Sequence, residues 1–267
     1  MADFDWGSEF SGRKVVLTGS CGVVGRGIAD AFAKVGARLC LSDRENDSLA
    51  AQAAELGLAK AGGLTNVTEL TDSASIDALV ATVAKSWGAP DVVINNAGVY
   101  PSGFLLDIDA DEWDRILDIN LRAPFLISRG MAKLMIGSKV KGSIINISSG
   151  AARKMRRTVV PYCLSKTALD RLTKGFAIEL AEFGIRVNAV EPGFAPGSTA
   201  SPLTQAHVAA TQSQIPLGRG SSPTDAADAI MFLASSKATY ITGATLGVDG
   251  GNSIGSLAVY QEKKKPL

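Results

Sequence analysis

Three side chains in the middle of this 267-residue chain have the types and spacing to move a proton: Ser149, Tyr162 and Lys166. Tyr162 and Lys166 stand four apart in Tyr162-Cys163-Leu164-Ser165-Lys166. The residues that follow, through Leu180, keep a good helical pattern, so the two side chains share one helix face. An ammonium beside a phenol favours phenolate and is expected to lower the tyrosine pKa, making it a proton donor and acceptor nearer neutral pH. Ser149 closes a run from Gly142 that reads as a buried strand, and parallel sheets place their sites at such strand ends. Thirteen residues separate it from Tyr162, enough for a loop to bring the two hydroxyls together.

The rest of the chain must position these groups. Lys14-Val15-Val16-Leu17-Thr18 is a short apolar run that ends in the glycine-rich stretch Gly19 to Gly27, and Ile28, Ala29, Phe32 and Val35 follow at helical spacing. Strand, glycine turn and helix in that order make a pyrophosphate cradle, because glycine lets the backbone approach and the helix start offers free N–H groups and a positive dipole end. A second strand ends in Asp43, eighteen residues beyond Gly25. There a carboxylate accepts from adenosine ribose hydroxyls and repels a 2′-phosphate, arguing for NAD over NADP. Arg44 pulls the other way, as a partner for that phosphate. Helix then spans 45–56, a third strand 63–67, and Ile76, Leu79, Val80, Val83 and Trp87 form a helical face. A fourth strand runs into Asn95-Asn96-Ala97-Gly98, a long helix covers 113–135 with an irregularity at Pro124, and further strands end near Pro192-Gly193 and in Thr245 to Gly251. This alternation specifies a single α/β domain of Rossmann type, a doubly wound parallel sheet of about seven strands with helices on both faces.

The glycine turn after Thr18, the Asn95-Asn96-Ala97-Gly98 tetrapeptide, and Ser149 followed by Tyr162 and Lys166 together resemble the short-chain dehydrogenase/reductase family over nearly the whole chain. The resemblance implies hydride transfer on a nicotinamide cofactor, with Tyr162 as acid and base, Ser149 holding the substrate oxygen, and Lys166 binding ribose while tuning Tyr162. Asn120 falls at the family's fourth catalytic position and is implied to hold a water toward Lys166. Implied cofactor contacts are Gly19, Cys21, Val24, Gly25, Asp43, Asn66, Val67, Asn96, Ala97, Gly98, Tyr162, Lys166, Pro192, Gly193, Phe194 and Ser198. Asn66 stands where the family commonly has Asp, and its amide oxygen is expected to reach the adenine amine. Val23 replaces the family's middle glycine, so a shifted turn is expected. The expected activity is NAD-dependent interconversion of a secondary alcohol and a ketone, or of a sugar hemiacetal and a lactone. The alternatives are an NADPH-dependent carbonyl reductase and a non-catalytic dinucleotide-binding regulator.

Between Ser149 and Tyr162, Arg153, Lys154, Arg156 and Arg157 crowd four cations into five residues of a chain whose 27 Lys and Arg balance 26 Asp and Glu. That loop is expected either to contact an anionic substrate such as a sugar acid, with Arg153, Arg156 and Arg157 joining Ser149 and Tyr162, or to be a solvated or intersubunit patch. The near-neutral balance gives no global reason to expect nucleic acid or an anionic membrane. No apolar run is long enough to span a bilayer, and the three cysteines lack metal-ligand spacing, so a cytoplasmic protein without a metal is expected. A substrate lid is expected over 195–222, carrying His207 as a substrate contact or a solvated helix residue, and a tail over 252–267. Apolar residues beyond one stripe on the helices at 113–135 and 162–183, among them Phe125, Leu172 and Ile178, predict a homotetramer.

Overall fold

A computed structural model describes residues 5–197, 203–255 and 257. Seven parallel strands form one sheet in the order β3-β2-β1-β4-β5-β6-β7, with β1 at Lys14–Thr18, β2 at Arg38–Asp43, β3 at Leu64–Val67, β4 at Val92–Asn95, β5 at Ser143–Ile147, β6 at Arg186–Pro192 and β7 at Thr245–Val248. The order reverses between β1 and β4, and that is where ligand crevices open in doubly wound sheets. Every residue of β4 and β5 is buried, which is why these strands read as continuous apolar runs rather than as alternating ones.

Alternate residues of each strand feed two cores. Val15, Leu17 and Ile94 pack on one face with Phe10, Ile28, Phe32 and Ile230; Val16, Val93 and Ile144 pack on the other with Ile76, Leu79, Ile127 and Met131. The first face is covered by helices α1 (Trp6–Phe10), α2 (Val23–Lys34), α3 (Asn46–Glu55) and, further along the chain, α9 (Pro223–Ala234). On the second lie α4 (Ser73–Trp87), α5 (Ala110–Leu117), α6 (Ala123–Gly137) and α7 (Val160–Leu180). The eighth helix, α8, spans Gln205–Gln212 and buries no residue. A Cβ on Gly27 would lie 2.3 Å from the Pro223 carbonyl oxygen, so this glycine lets α2 and α9 cross backbone to backbone.

The helix expected over 113–135 is broken. A π-helical turn, Asp118–Arg122, separates α5 from α6, and Pro124 sits in the first turn of α6. Proline cannot donate to the residue four back, and the wider turn absorbs the missing bond. Asn120 lies inside that turn, fully buried. Ser198 and part of the expected lid and tail fall outside the described residues. His207 is exposed on α8, and no helix among the described residues is long and apolar enough to cross a membrane.

Candidate active site

The end of β1 turns sharply into α2. Gly19 has φ +62, and a Cβ there would lie 2.7 Å from the Ala97 Cα; one on Gly25 would lie 2.1 Å from the Gly19 carbonyl oxygen. Only glycine fits either place. Gly22 is the N-cap of α2 and Val23 its first residue, so the shifted turn is real, and the helix N-terminus opens beside the β1/β4 switch point. Backbone N–H groups and a dipole end at this place suit a pyrophosphate, and the two glycines keep it free of side chains. Asn96 locks the neighbouring turn by donating from Nδ2 to Thr18 O at 3.0 Å and Gly19 O at 2.8 Å. Its partner Asn95 braces the central strands, donating to Asn146 Oδ1 and Ser128 Oγ.

Asp43 closes β2 next to this cradle. Its Oδ2 accepts from the Cys21 N–H at 2.9 Å and its Oδ1 from the Arg44 N–H at 2.8 Å. The Arg44 guanidinium meets Glu45 at 3.3 Å instead. Burial and the Asp43 carboxylate push the Cys21 thiol up, so it is no ready nucleophile, and the three cysteines are free thiols. Asn66, expected to reach the adenine amine, is already hydrogen-bonded within the protein. Its Nδ2 donates to Thr82 Oγ1 at 3.0 Å and its Oδ1 accepts from Thr68 Oγ1 at 2.8 Å, so the amide braces β3 against α4. Val67 beside it is 49% exposed at the strand end.

The catalytic candidates converge at the other side of the switch point. The Ser149 hydroxyl hydrogen-bonds the Tyr162 oxygen, and Tyr100 packs edge-on against the Tyr162 ring with centroids 6.0 Å apart. Lys166, 3% exposed, lies 5.8 Å from the ring centroid and donates to Ile147 O at 2.8 Å. Asn120 clamps the chain after β4: its Oδ1 accepts from Val99 N, and its Nδ2 donates to Val99 O and, at 3.1 Å, to Ser165 Oγ. A Cβ on Gly98 would sit 3.3 Å from Asn120 Oδ1 and 3.4 Å from Lys166 Nζ, so glycine there keeps space above the lysine.

The electrostatics differ from expectation. Burial raises the Tyr162 pKa above its ordinary value, while the Ser149 hydrogen bond and the Arg156 cation pull it down. Burial brings Lys166 itself down to about 8, with Asp170 opposing. The lysine is a desolvated ammonium 5.8 Å from the phenol ring centroid, engaged by a carbonyl.

The basic loop is divided. Arg153 Nε donates to Glu191 Oε1 at 3.1 Å and its Nη2 meets Oε2 at 2.6 Å, with the Glu191 side chain fully buried. Lys154 donates to Asn252 O. The substrate contact expected at Arg153 thus falls on a residue already paired with a buried carboxylate, and nothing in the sequence announced a glutamate on β6 as its partner. Arg156 and Arg157 are exposed, and Arg157 lies over the Phe104 ring at 5.0 Å. Two further features escaped the sequence reading. The Gly103 N–H donates to Thr158 O at 2.8 Å, tying the loop after β4 to the one before Tyr162, and Thr158 takes φ +70 to do so. Among the described residues no cluster could hold a metal ion.

A dinucleotide cradle beside a serine, tyrosine and lysine defines an oxidoreductase of the Rossmann class. A family model described as enoyl-(acyl carrier protein) reductase matches residues 22–253. The galactitol 2-dehydrogenase of Agrobacterium fabrum is 33% identical over 257 residues, covering 91% of this chain and 98% of that protein. A 3-oxoacyl-[acyl-carrier-protein] reductase of Rickettsia bellii is 34% identical over 243 residues, with the same coverage, 91% and 98%. A crystal structure of 3-ketoacyl-(acyl-carrier-protein) reductase from Brucella melitensis complexed with NADH superposes with a TM-score of 0.82 at 32% identity, covering 91% and 99%. The chain belongs to the short-chain dehydrogenase/reductase family and is an oxidoreductase of the kind that uses a nicotinamide dinucleotide.

Proposed function

We propose that this protein is an NAD-dependent dehydrogenase that interconverts a secondary alcohol and a ketone, or a sugar hemiacetal and a lactone, on a small substrate bearing an anionic group. The carrying observation is the Ser149–Tyr162 hydrogen bond one helical turn from buried Lys166. The bound dinucleotide would supply the hydride acceptor, held by the glycine turn, Asp43, the backbone around Ala97 and Gly98, and Lys166 at the ribose. Ser149 holds the substrate oxygen, Tyr162 takes or returns its proton, and the ammonium of Lys166 favours the deprotonated tyrosine once a ribose hydroxyl joins the two. The chain at Pro192, Gly193 and Phe194 would face the carboxamide end of the cofactor, and 195–222 would fold over the substrate as a lid.

Asp43 supports NAD, and the Arg44–Glu45 pair strengthens the case by giving that arginine another acid. Arg156 and Arg157, against which no carboxylate lies among the described residues, support an anionic substrate. Phe125, 38% exposed on α6, lines a depression of about 710 Å³ with Leu117, Leu121 and Leu172 and with Asp114, Asp118 and Arg122, Ile178 on α7 is 79% exposed, and these uncovered apolar side chains support a homotetramer. A second reading is an NADPH-dependent carbonyl reductase: the 3-oxoacyl-[acyl-carrier-protein] reductase relatives favour carbonyl reduction, and Arg44 favours the 2′-phosphate.

Wild-type protein assayed with NAD and NADP on galactitol, sorbitol, aldonates and sulfonated sugars tests the proposal. It expects NAD and an anionic substrate to be preferred, and Arg156→Met or Arg157→Met to raise KM for that substrate by roughly tenfold to a hundredfold, in line with a lost charge-assisted hydrogen bond. Preference for NADP, or best turnover of neutral polyols left unchanged in both variants, defeats it.

A further inference from the structure

We infer that Arg153 is a positioning residue for Ser149, pinned by Glu191 so that the turn after β5 holds the serine hydroxyl toward Tyr162. This rests on the oxidoreductase reading of the site. Ser149 is the N-cap of a short 3-10 turn, Gly150–Ala152, and its Oγ accepts from the Ala151 N–H at 3.2 Å. A hydroxyl that accepts a backbone N–H on one side has its own proton left for an oxygen on the other, so the turn fixes which way Ser149 donates. Ala152 N–H bonds back to Ser149 O at 2.8 Å, Arg153 N–H to Gly150 O at 3.3 Å, and Arg153 ends the turn. Whatever holds Arg153 therefore holds the serine.

Glu191 is what holds it. A carboxylate fully buried on β6 is costly to leave ionised and alone, and Arg153 closes on both of its oxygens. Burial pushes the Glu191 carboxyl up even with the guanidinium against it, while Asp170 and Asp249 add negative charge around the same arginine. The turn is seated from two more sides. Thr167 Oγ1 on the catalytic helix α7 donates to Ala152 O at 2.9 Å, and Lys154 Nζ donates to Asn252 O at 3.2 Å in the segment after β7. A Cβ on Gly150 would lie 3.1 Å from Ser253 Cβ, and one on Gly247 would lie 3.4 Å from Arg153 Nη2, so glycines on both sides let turn, β7 and guanidinium close together. The arginine that the sequence offers as an anion contact is partly exposed and directs Nε and Nη2 onto a buried carboxylate of the sheet.

The test compares Arg153→Met, Arg153→Lys, Glu191→Gln and the double variant Arg153→Met/Glu191→Leu, which removes both charges and leaves no buried carboxylate to unfold the protein. Amide hydrogen exchange of residues 149–155 is measured with NADH binding by fluorescence, and kcat and KM are determined with galactitol and galactonate. Positioning predicts faster exchange confined to that turn and a kcat lowered by roughly tenfold to a hundredfold, as displacement of a reacting group by about 1 Å produces. It also predicts KM and NADH affinity changed less than about threefold, and partial recovery of kcat in Arg153→Lys. Unaltered exchange of the turn, unaltered kcat in the double variant, or a raised KM for galactonate alone in Arg153→Met would each overturn it, the last by making Arg153 a substrate contact. Failure of every protein, wild type included, to oxidise either compound would count against the proposed substrates, and the exchange pattern would still decide whether the pair holds the turn.

Discussion

At the ends of β1, β2 and β3 the polar groups satisfy one another. Asp43 takes two backbone N–H groups, Asn96 donates to two carbonyls, and Asn66 bonds Thr68 and Thr82. At the ends of β5 and β6 the pairing is less complete, although Arg153 holds Glu191 and Lys166 donates to Ile147 O. Ser148 Oγ and Asp170 Oδ1 are buried without a well-formed hydrogen bond, Glu191 is buried ionisable on the sheet, Lys166 is brought down to about 8, and Tyr162 is raised. One half of the crevice is a finished mould, shaped mainly by backbone. The other keeps polar groups in high-energy surroundings, where their protonation responds to small changes nearby.

Removing the lysine separates these halves most sharply. Lys166→Met should cut turnover by several orders of magnitude, yet stabilise the protein measured without added cofactor. With the folded pKa near 8 and the ordinary value 10.5, the unfolded chain binds more protons between those limits. The burial penalty is then fully present below pH 8 and fades as pH rises toward 10.5. At pH 7 the variant should gain on the order of 3 kcal/mol, less the lost bond to Ile147, and the gain should vanish above about pH 10.5. Thermal melts across that range check it, and a variant less stable at pH 7 would place Lys166 among the satisfied groups.

Asp43→Ala probes the finished half. It should lower the melting temperature by a few degrees, because the Cys21 and Arg44 N–H groups lose their acceptor, keep kcat with NAD within about tenfold, and narrow the preference for NAD over NADP by roughly tenfold, about the worth of one charge-assisted contact. A collapse of kcat there would show that the cofactor half takes part in the chemistry.

The smallest effect concerns pH. Arg156 lowers the Tyr162 pKa, so Arg156→Met should move the pH profile of alcohol oxidation to higher pH, only slightly because the cation is exposed and screened by water. An unmoved profile would confine Arg156 to substrate binding.

Which parts were legible in the sequence follows the same division. The seven strands, the glycine turn and the convergence of Ser149, Tyr162 and Lys166 were readable because each depends on local pattern, whether apolar runs, turn glycines or helical spacing of four, whereas Asn95 and Asn120 were picked out only by the family resemblance. The Arg153–Glu191 pair was not readable, because its partners lie 38 residues apart on different elements and burial of the glutamate is a property of the folded sheet. The sign of the Tyr162 shift was missed for a related reason. Spacing on a helix reports which groups are near, whereas desolvation, here the larger effect, depends on everything packed around them. Pro124 foretold an irregularity but not that it would take the form of a π turn around Asn120.

The most direct test of the account is Tyr162→Phe, assayed for hydride transfer by NADH absorbance with the best substrate of the wild-type panel and for NADH binding by fluorescence. The substitution removes one oxygen and keeps the ring against Tyr100. The account predicts NADH affinity within about twofold of wild type and turnover reduced by at least about a thousandfold. Turnover within about tenfold of wild type would contradict it, because the proton would then be moved by some other group than Tyr162.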